Sequence, residues 1–446
     1  MSPCLSSRFA VIPMRFERMT YCLEGSCSIQ LSYGTLIGRD DKIRTCDLFV
    51  PNEARYQAAL HPVFLEFAKV QFILISFFRI QFFLLLLQGF MYISSLVMLA
   101  SNVFINEKAD EQMFQWQAMQ HQIFVLCDTN TKRYCLPHLT RRLGNISDAH
   151  ILCVPEGESS KDISSLVQLW QHLIQQQADR DSLLLNVGGG MICDLGGFVA
   201  CTFKRGIDFV NIPTSLTAQV DAAIGGKTAI NFQGIKNQIG SFKQASAVLI
   251  YNELLQTLPE RHIYAAYAEM MKHALIADAS YWKQLITIQS IDSLILTTSF
   301  IEKSIQIKQG IVALDFYDKA QRKILNFGHS IAHVIESFFL GENGKVLHGE
   351  AVAWGMLAEA YLSRLKGYLS QNELEEIQIQ ILKTYQPLPI HNMTEHEWMP
   401  LLYMDKKRQG NSFNFTLLKG IGNAIINQSC CIDEIRKALD YISHLY

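Results

Sequence analysis

Leu-Leu-Leu-Asn-Val-Gly-Gly-Gly-Met-Ile-Cys-Asp-Leu-Gly-Gly-Phe, residues 183–198, decides the fold. An apolar run at 183–187 has the length of a strand, three glycines follow, and helical sequence begins near Met191. The alternation repeats on both sides. Strands are predicted at 122–127, 151–154, 209–212 and 247–250. Residues 164–177 have the spacing of an amphipathic helix, with Leu166, Leu169, Trp170, Leu173 and Ile174 on one face. Strands alternating with helices imply a mostly parallel sheet covered on both faces, an α/β, Rossmann-like class. Ligands of such sheets gather at the carboxyl ends of the strands. Glycines 188–190 stand at one such end, against a helix N-terminus that favours negative charge. They do not form G-x-G-x-x-G, so a tight turn explains them as well as a nucleotide does. Asp194 falls in mid-helix, where a solvated or capping carboxylate is the default.

Residues 213–240 place Asp221, Lys227, Asn231, Lys236 and Asn237 among glycines and small residues. Gly225-Gly226-Lys227-Thr228 resembles the end of a phosphate loop but lacks its leading glycine. Two lysines and paired asparagines suit a polyhydroxylated anion, so the segment reads as a binding loop rather than a merely solvated one.

After Pro259, which suits the first turn of a helix, the pattern is helical. Glu269 and Lys272 are i,i+3 and share a face. Such a pair is commonly a surface ion pair, but Ala265, Ala266, Ala268, Met270 and Met271 imply partial burial. Arg322, Asn326, His329 and His333 recur at spacings of four, three and four. They form one helical stripe, or a turn at Gly328 followed by a new helix. His329 and His333 match an i,i+4 metal pair. Glu269, His329 and His348 equally match the three-ligand set of a catalytic zinc, which leaves a position open. His348-Gly-Glu350 opens a helical run at 351–362, and Asp405-Lys-Lys-Arg408 reads as a charged surface turn.

The chain has 446 residues, 49% hydrophobic and 18% charged, with formal net charge -2. These values fit two or three globular domains and exclude a general nucleic-acid binder. Its 11 cysteines contain no C-x-x-C and read as reduced thiols, with Cys430-Cys431 a pair of buried small residues. Residues 1–60 show no hydrophobic period. The block 72–99 is long enough for a membrane helix but is broken by Arg79, Gln81 and Gln88. It lies too far from residue 1 for a secretory signal. Residues 15–34 and 43–62 resemble peptides produced by mistaken translation of transfer-RNA gene regions. The expectation is an over-extended gene model with a start near Met91 or Met98; a genuine membrane anchor is the alternative.

Six segments (185–198, 213–231, 236–240, 268–273, 322–336 and 347–352) resemble, in order, the motif series of the 3-dehydroquinate synthase family of sugar phosphate cyclases. The resemblance runs over roughly residues 122–420. It implies a Rossmann-like NAD-binding domain at 101–258, an all-α metal and substrate domain at 259–446, an active site in the cleft between them, and a non-family extension at 1–100. It implies NAD, zinc (or cobalt) and a sugar phosphate substrate, in a cytoplasmic homodimer with no nucleic-acid or membrane partner. Zinc would be held by Glu269, His329 and His348, which moves His333 from the metal to the substrate. Lys227, Lys236, Asn237, Lys272, Arg322 and Asn326 would surround the substrate's carboxylate, hydroxyls and phosphate. Asp221 would lie near the metal-bound hydroxyls, and Lys406 or Lys407 would close over the site. NAD contacts would come from Asp128, Asn130, Glu158, Lys161, Gly190, Asp194, Thr214, Ser215, Lys227, Lys236 and Thr257. The family often has Gly in place of Cys193 and a second Thr in place of Ser215; neither change is expected to abolish NAD binding. The rival readings are another sugar phosphate cyclase, a metal-dependent polyol dehydrogenase on the same scaffold, and a non-catalytic or membrane-anchored protein that kept the fold. The retained metal set argues against the last.

Overall fold

The computed structural model describes residues 102–118, 122–144, 146, 149–288, 290, 297–339, 346–405 and 412–445. The apolar block 72–99, the candidate start sites, Lys406 and Lys407 lie outside the described residues. All described residues belong to one compact unit. In chain order the strands are β1 (Val103–Ile105), β2 (Ile123–Asp128), β3 (His150–Val154), β4 (Leu183–Gly188), β5 (Asp208–Pro213), β6 (Lys227–Phe232), β7 (Ile235–Phe242), β8 (Ala247–Ile250), β9 (Ser412–Leu418) and β10 (Ala424–Cys431).

Six strands make a parallel sheet in the order β1-β8-β5-β4-β2-β3. Central β4 is buried along its whole length, as a strand covered on both faces requires. One sheet face carries Phe124, Leu126, Leu184 and Phe209 into a core continuous with the helical half. The other packs Val125, Leu185 and Val210 against Met113, Leu139 and Leu143. The five predicted strands are present within a residue or two. Strand β1 was not predicted, since three half-buried residues are too few to show a period.

The stretch at 183–198 explains its own glycines. Asn186 on β4 donates Nδ2 to Asn211 Oδ1 on β5 at 2.9 Å, and Asn211 donates to the Ala223 carbonyl at 3.3 Å. Helix Gly190–Thr202 passes directly over this pair. A Cβ at Gly196 would lie 1.9 Å from Asn186 Oδ1, and one at Gly197 2.5 Å from Thr228 Cγ2. Close packing therefore overrides the roughly 0.5–1 kcal/mol that a helix-interior glycine costs.

Two expectations change. The segment 213–240 is mostly ordered: a π-helical turn at Ala218–Ala222 and the antiparallel hairpin β6–β7. The half beyond Pro259 is not all-α, because β9 and β10 form a second hairpin. Its signal was an alternation of buried Phe413, Phe415 and Leu417. Cys430 is buried as expected, but Cys431 is exposed at the N-cap of helix Ile432–Ser443. The described cysteines are free thiols. Among the described residues, no helix is long and apolar enough to cross a membrane.

Three helices form the centre of the second half: Glu260–Ala277, His329–Phe339 and His348–Leu365. They touch backbone to backbone at two glycines. A Cβ at Gly349 would lie 1.6 Å from the Ala265 carbonyl oxygen, and one at Gly355 2.0 Å from that of Gly328. The buried Glu359 carboxylate accepts from the backbone N–H groups of Gly328 (2.7 Å), Ser330 (3.0 Å) and Ile331 (3.3 Å). It thereby satisfies the first turn of helix His329–Phe339.

Gly355→Ala should cost roughly 1–3 kcal/mol or more by overpacking against backbone. Gly310, in helix Thr298–Leu314, has nothing within 4 Å of its notional Cβ. Gly310→Ala should gain about 0.5–1 kcal/mol. Thermal unfolding of the two variants should move Tm in opposite directions; a Gly355→Ala protein as stable as the parent would refute the close-approach argument.

Candidate active site

Helix Glu260–Ala277 aims Glu269, Lys272 and His273 into the interior. The Glu269 side chain is 1% exposed and that of Lys272 2%, and the two are ion-paired. The surface-pair reading of Glu-x-x-Lys does not apply here. Glu269 Oε1 lies 3.3 Å from His348 Nε2 and 3.5 Å from His329 Nε2. Neither carboxylate oxygen makes a hydrogen bond of normal geometry. One ligand atom from each of the three residues falls within a 4.8 Å group. Around a tetrahedral zinc with bonds of about 2.1 Å, neighbouring ligand atoms sit about 3.4 Å apart. The residues therefore fit a metal: two imidazole nitrogens at tetrahedral-edge distance from one oxygen of a buried carboxylate.

The remaining ring nitrogens are occupied in the manner of metal ligands. His348 Nδ1 is 3.1 Å from Glu336 Oε2, and His329 Nδ1 is 3.2 Å from the Phe327 carbonyl. His333 stands outside the three-ligand group, its ring 5.8 Å from that of His329. The structure thus groups His329 with Glu269 and His348 rather than with His333. Gly328, at φ 82°, ends the turn before His329, so Arg322 and Asn326 lie on a separate 3-10 segment, Gln321–Asn326, and the single-stripe alternative fails.

Burial opposes charge throughout this cluster, and its neighbours decide each outcome. Burial would raise the Glu269 carboxyl, but Lys272 and His329 hold it well below the usual range. Burial lowers His329, reinforced by Lys272. Burial would also lower His348, but Glu269 and Glu336 push it up to about 10.

A second group, Asp221, Glu269 and His273, shares Glu269. Asp221, on the π-helical turn, is already bound by Lys308 Nζ at 2.5 Å, and His273 Nδ1 lies 2.7 Å from Ser304 Oγ. Lys308 is pushed down to about 8, first by burial, with Lys272 and Arg322 adding to it against Asp221. Sequence reasoning missed Lys308. The available signal was a lysine on the apolar stripe Ile301, Ile305, Val312 of its helix.

The two halves meet through polar contacts. Arg322 is buried and donates Nη1 to the carbonyls of Gly225 (2.8 Å) and Phe316 (2.7 Å). Gly225, at φ 104°, leaves the room this guanidinium occupies. Half-exposed Lys227 pairs with Asp318 at 2.5 Å, and Lys236 lies 3.4 Å from Glu336. Asn326 is half-buried at the end of its 3-10 segment. Asp318 and Glu336 were also missed; Glu336 continues the His329, His333 face at a further spacing of three.

The candidate nucleotide residues gather at the carboxyl ends of β2, β4 and β5, which end at Asp128, Gly188 and Pro213. Thr214 N–H donates to the Gly188 carbonyl at 3.0 Å. A Cβ at Gly189 would lie 3.3 Å from Ser215 Oγ, and one at Gly190 3.0 Å from Ala222 Cβ. Asp128 caps helix Thr129–Tyr134 by accepting from Thr131 N–H at 2.8 Å, and Asn130 is exposed on it. Asp194 is not solvated: Lys161 Nζ reaches its Oδ2 at 2.6 Å and Asn237 Oδ1 at 2.5 Å. Asn231 joins this group to Glu158 Oε1 at 2.8 Å and accepts from Asn237 N–H at 2.9 Å.

A family model described as 3-dehydroquinate synthase N-terminal matches residues 151–265, and one described as 3-dehydroquinate synthase C-terminal matches 266–408. The 3-dehydroquinate synthase of Parabacteroides distasonis is 40% identical over 337 residues, covering 75% of this chain and 95% of its own. The chain belongs to the 3-dehydroquinate synthase family. Two solved structures share its fold. One is 2-deoxy-scyllo-inosose synthase complexed with carbaglucose-6-phosphate, NAD+ and Co2+, with TM-score 0.67 and 22% identity over 76% of this chain and 96% of that one. The other is ValA, the 2-epi-5-epi-valiolone synthase of Streptomyces hygroscopicus with NAD+ and Zn2+ bound, at 0.65 and 23% over 77% and 97%. In this member of the 3-dehydroquinate synthase family, the boundary between the two matched models falls inside helix Glu260–Ala277, four residues before Glu269.

Replacing His348, whose side chain is 42% exposed, removes one member of the candidate ligand group and little packing. His348→Ala should lose bound zinc while its metal-free Tm stays within a few degrees of the parent. Zinc content after dialysis checks this; retention of one equivalent would refute the ligand set.

Proposed function

We propose that this chain is an active 3-dehydroquinate synthase, converting 3-deoxy-D-arabino-heptulosonate 7-phosphate to 3-dehydroquinate and phosphate. The observation that carries the reading is a metal-type tripod, Glu269, His329 and His348, built on a buried carboxylate that is ion-paired with buried Lys272, with Lys308 on Asp221 beside it, in a chain of this family. Such a cluster suits an anionic, oxygen-rich substrate whose phosphate must leave.

Loss of phosphate from carbon 7 needs an acidic proton at carbon 6, which a ketone at carbon 5 provides and an alcohol does not. When bound, NAD supplies reversible hydride transfer at carbon 5 and a divalent metal, zinc or cobalt, supplies Lewis-acid polarisation of its oxygen. Glu269, His329 and His348 would hold the metal. Asp128, Asn130, Glu158, Lys161, Gly190, Asp194, Thr214, Ser215 and Thr257 would hold the nucleotide, with Lys227 and Lys236 reaching both ligands. Lys227, Lys236, Asn237, Arg322, Asn326 and His333 bind and orient the substrate, so that the phosphate leaves in line with the developing carbon–carbon double bond. Lys272 keeps Glu269 ionised, and Asp221 presents a carboxylate toward the substrate hydroxyls. Lys406 or Lys407, outside the described residues, would add a further cation for the substrate. Residues 101–258 form the nucleotide domain and 259–446 the metal and substrate domain of a cytoplasmic homodimer.

With catalytic NAD and zinc, the protein should release phosphate from the heptulosonate phosphate without accumulating NADH. Net NADH with glycerol-like substrates would instead establish a polyol dehydrogenase. Lys227 is half-exposed, so Lys227→Ala should leave Tm unchanged yet lower kcat/KM by about 10²-fold or more, the scale of a lost positioning or charge contact. An unchanged kcat/KM would remove Lys227 from the site.

A further inference from the structure

Glu336 stands on helix His329–Phe339 two turns beyond His329, so it shares the face that carries the metal ligand. Its side chain is only 14% exposed and each of its oxygens has a different partner. Oε2 lies 3.1 Å from His348 Nδ1, and Oε1 lies 3.4 Å from Lys236 Nζ on the β6–β7 hairpin. The same imidazole turns Nε2 toward Glu269 Oε1 at 3.3 Å. A neutral imidazole that donates Nδ1–H to a carboxylate must present an unprotonated Nε2, the form a metal requires. His329 achieves the same through the Phe327 carbonyl, two residues away in its own chain segment. For His348, the partner of Nδ1 is instead a carboxylate from another helix.

We propose that Glu336 is a positioning residue that fixes the Nε2-ligating orientation of His348 and ties Lys236 of the hairpin to the metal group. The proposal rests on the metal reading above, and the test separates the two. Zinc affinity is measured on metal-free protein by competition with a chromophoric chelator, together with the visible spectrum of the Co2+-loaded form. Glu336→Ala should bind zinc about 10–100-fold more weakly and alter the Co2+ spectrum, with far-UV circular dichroism and metal-free Tm unchanged. Glu336→Gln keeps an acceptor but not the charge, and should fall between. Lys236→Ala should keep zinc affinity within threefold, because the lysine acts on the carboxylate's other oxygen. If both Glu336 variants bind zinc and colour Co2+ like the parent while His348→Ala loses metal, the positioning role is overturned and the metal site stands. If His348→Ala also binds like the parent, the metal site itself falls, and this role with it. Should Glu336→Ala fail to fold, near-isosteric Glu336→Gln decides: parental affinity and spectrum overturn the proposal.

Discussion

A carboxylate almost wholly removed from water governs the second half of this protein. Glu269 is deep in a helix whose neighbours are alanine and methionine, and a bare charge there would be too costly to keep. Its compensation comes from Lys272 one turn along and from two histidines on two other helices. Those histidines reach it only because Gly349 and Gly355 let three backbones touch. Glu359 then fixes the start of the helix whose first residue is His329. Buried ion pairs seldom add net stability over well-packed apolar groups. A cluster of this kind, surrounded by so much aliphatic core, is therefore best explained by what it binds.

Around the tripod, the two halves of the molecule face each other through charge. Lys308 holds Asp221, Arg322 holds the turn at Gly225, Lys227 meets Asp318, and Lys236 meets Glu336. The buried members, Lys308 and Arg322, hold Asp221 and the turn at Gly225 in place. The half-exposed lysines are of another kind: exposed pairs contribute little to stability. An arriving anion can therefore draw those ammonium groups away from their carboxylates without unfolding anything.

Much of this was legible in the sequence. Continuous apolar runs such as 183–187 mark strands buried on both faces, and their alternation with amphipathic segments defined the sheet. What lacked a period was missed: β1 is too short, and the Gly- and Asn-rich segment at 213–240 reads as loop although two strands pair within it. The metal-type residues were recognisable by type, but spacing left two sets open, because linear spacing reports one helix while Glu269, His329 and His348 stand on three. Motif resemblance chose the three-helix set, whose ligand atoms lie within 4.8 Å of one another. Lys308 and Glu336 lay on visible helical stripes, yet their partners, Asp221 and His348, come from distant segments that no local pattern connects.

Lys161 shares one ammonium between Asp194, on the helix after the glycine turn, and Asn237, on the hairpin. A ligand that engages either partner changes what the lysine offers the other. Thermodynamic linkage makes that effect reciprocal: whatever factor the first ligand imposes on the affinity of the second, the second imposes on the first. Ligands at the sheet and at the hairpin would thus be coupled through a single side chain, whichever arrived first.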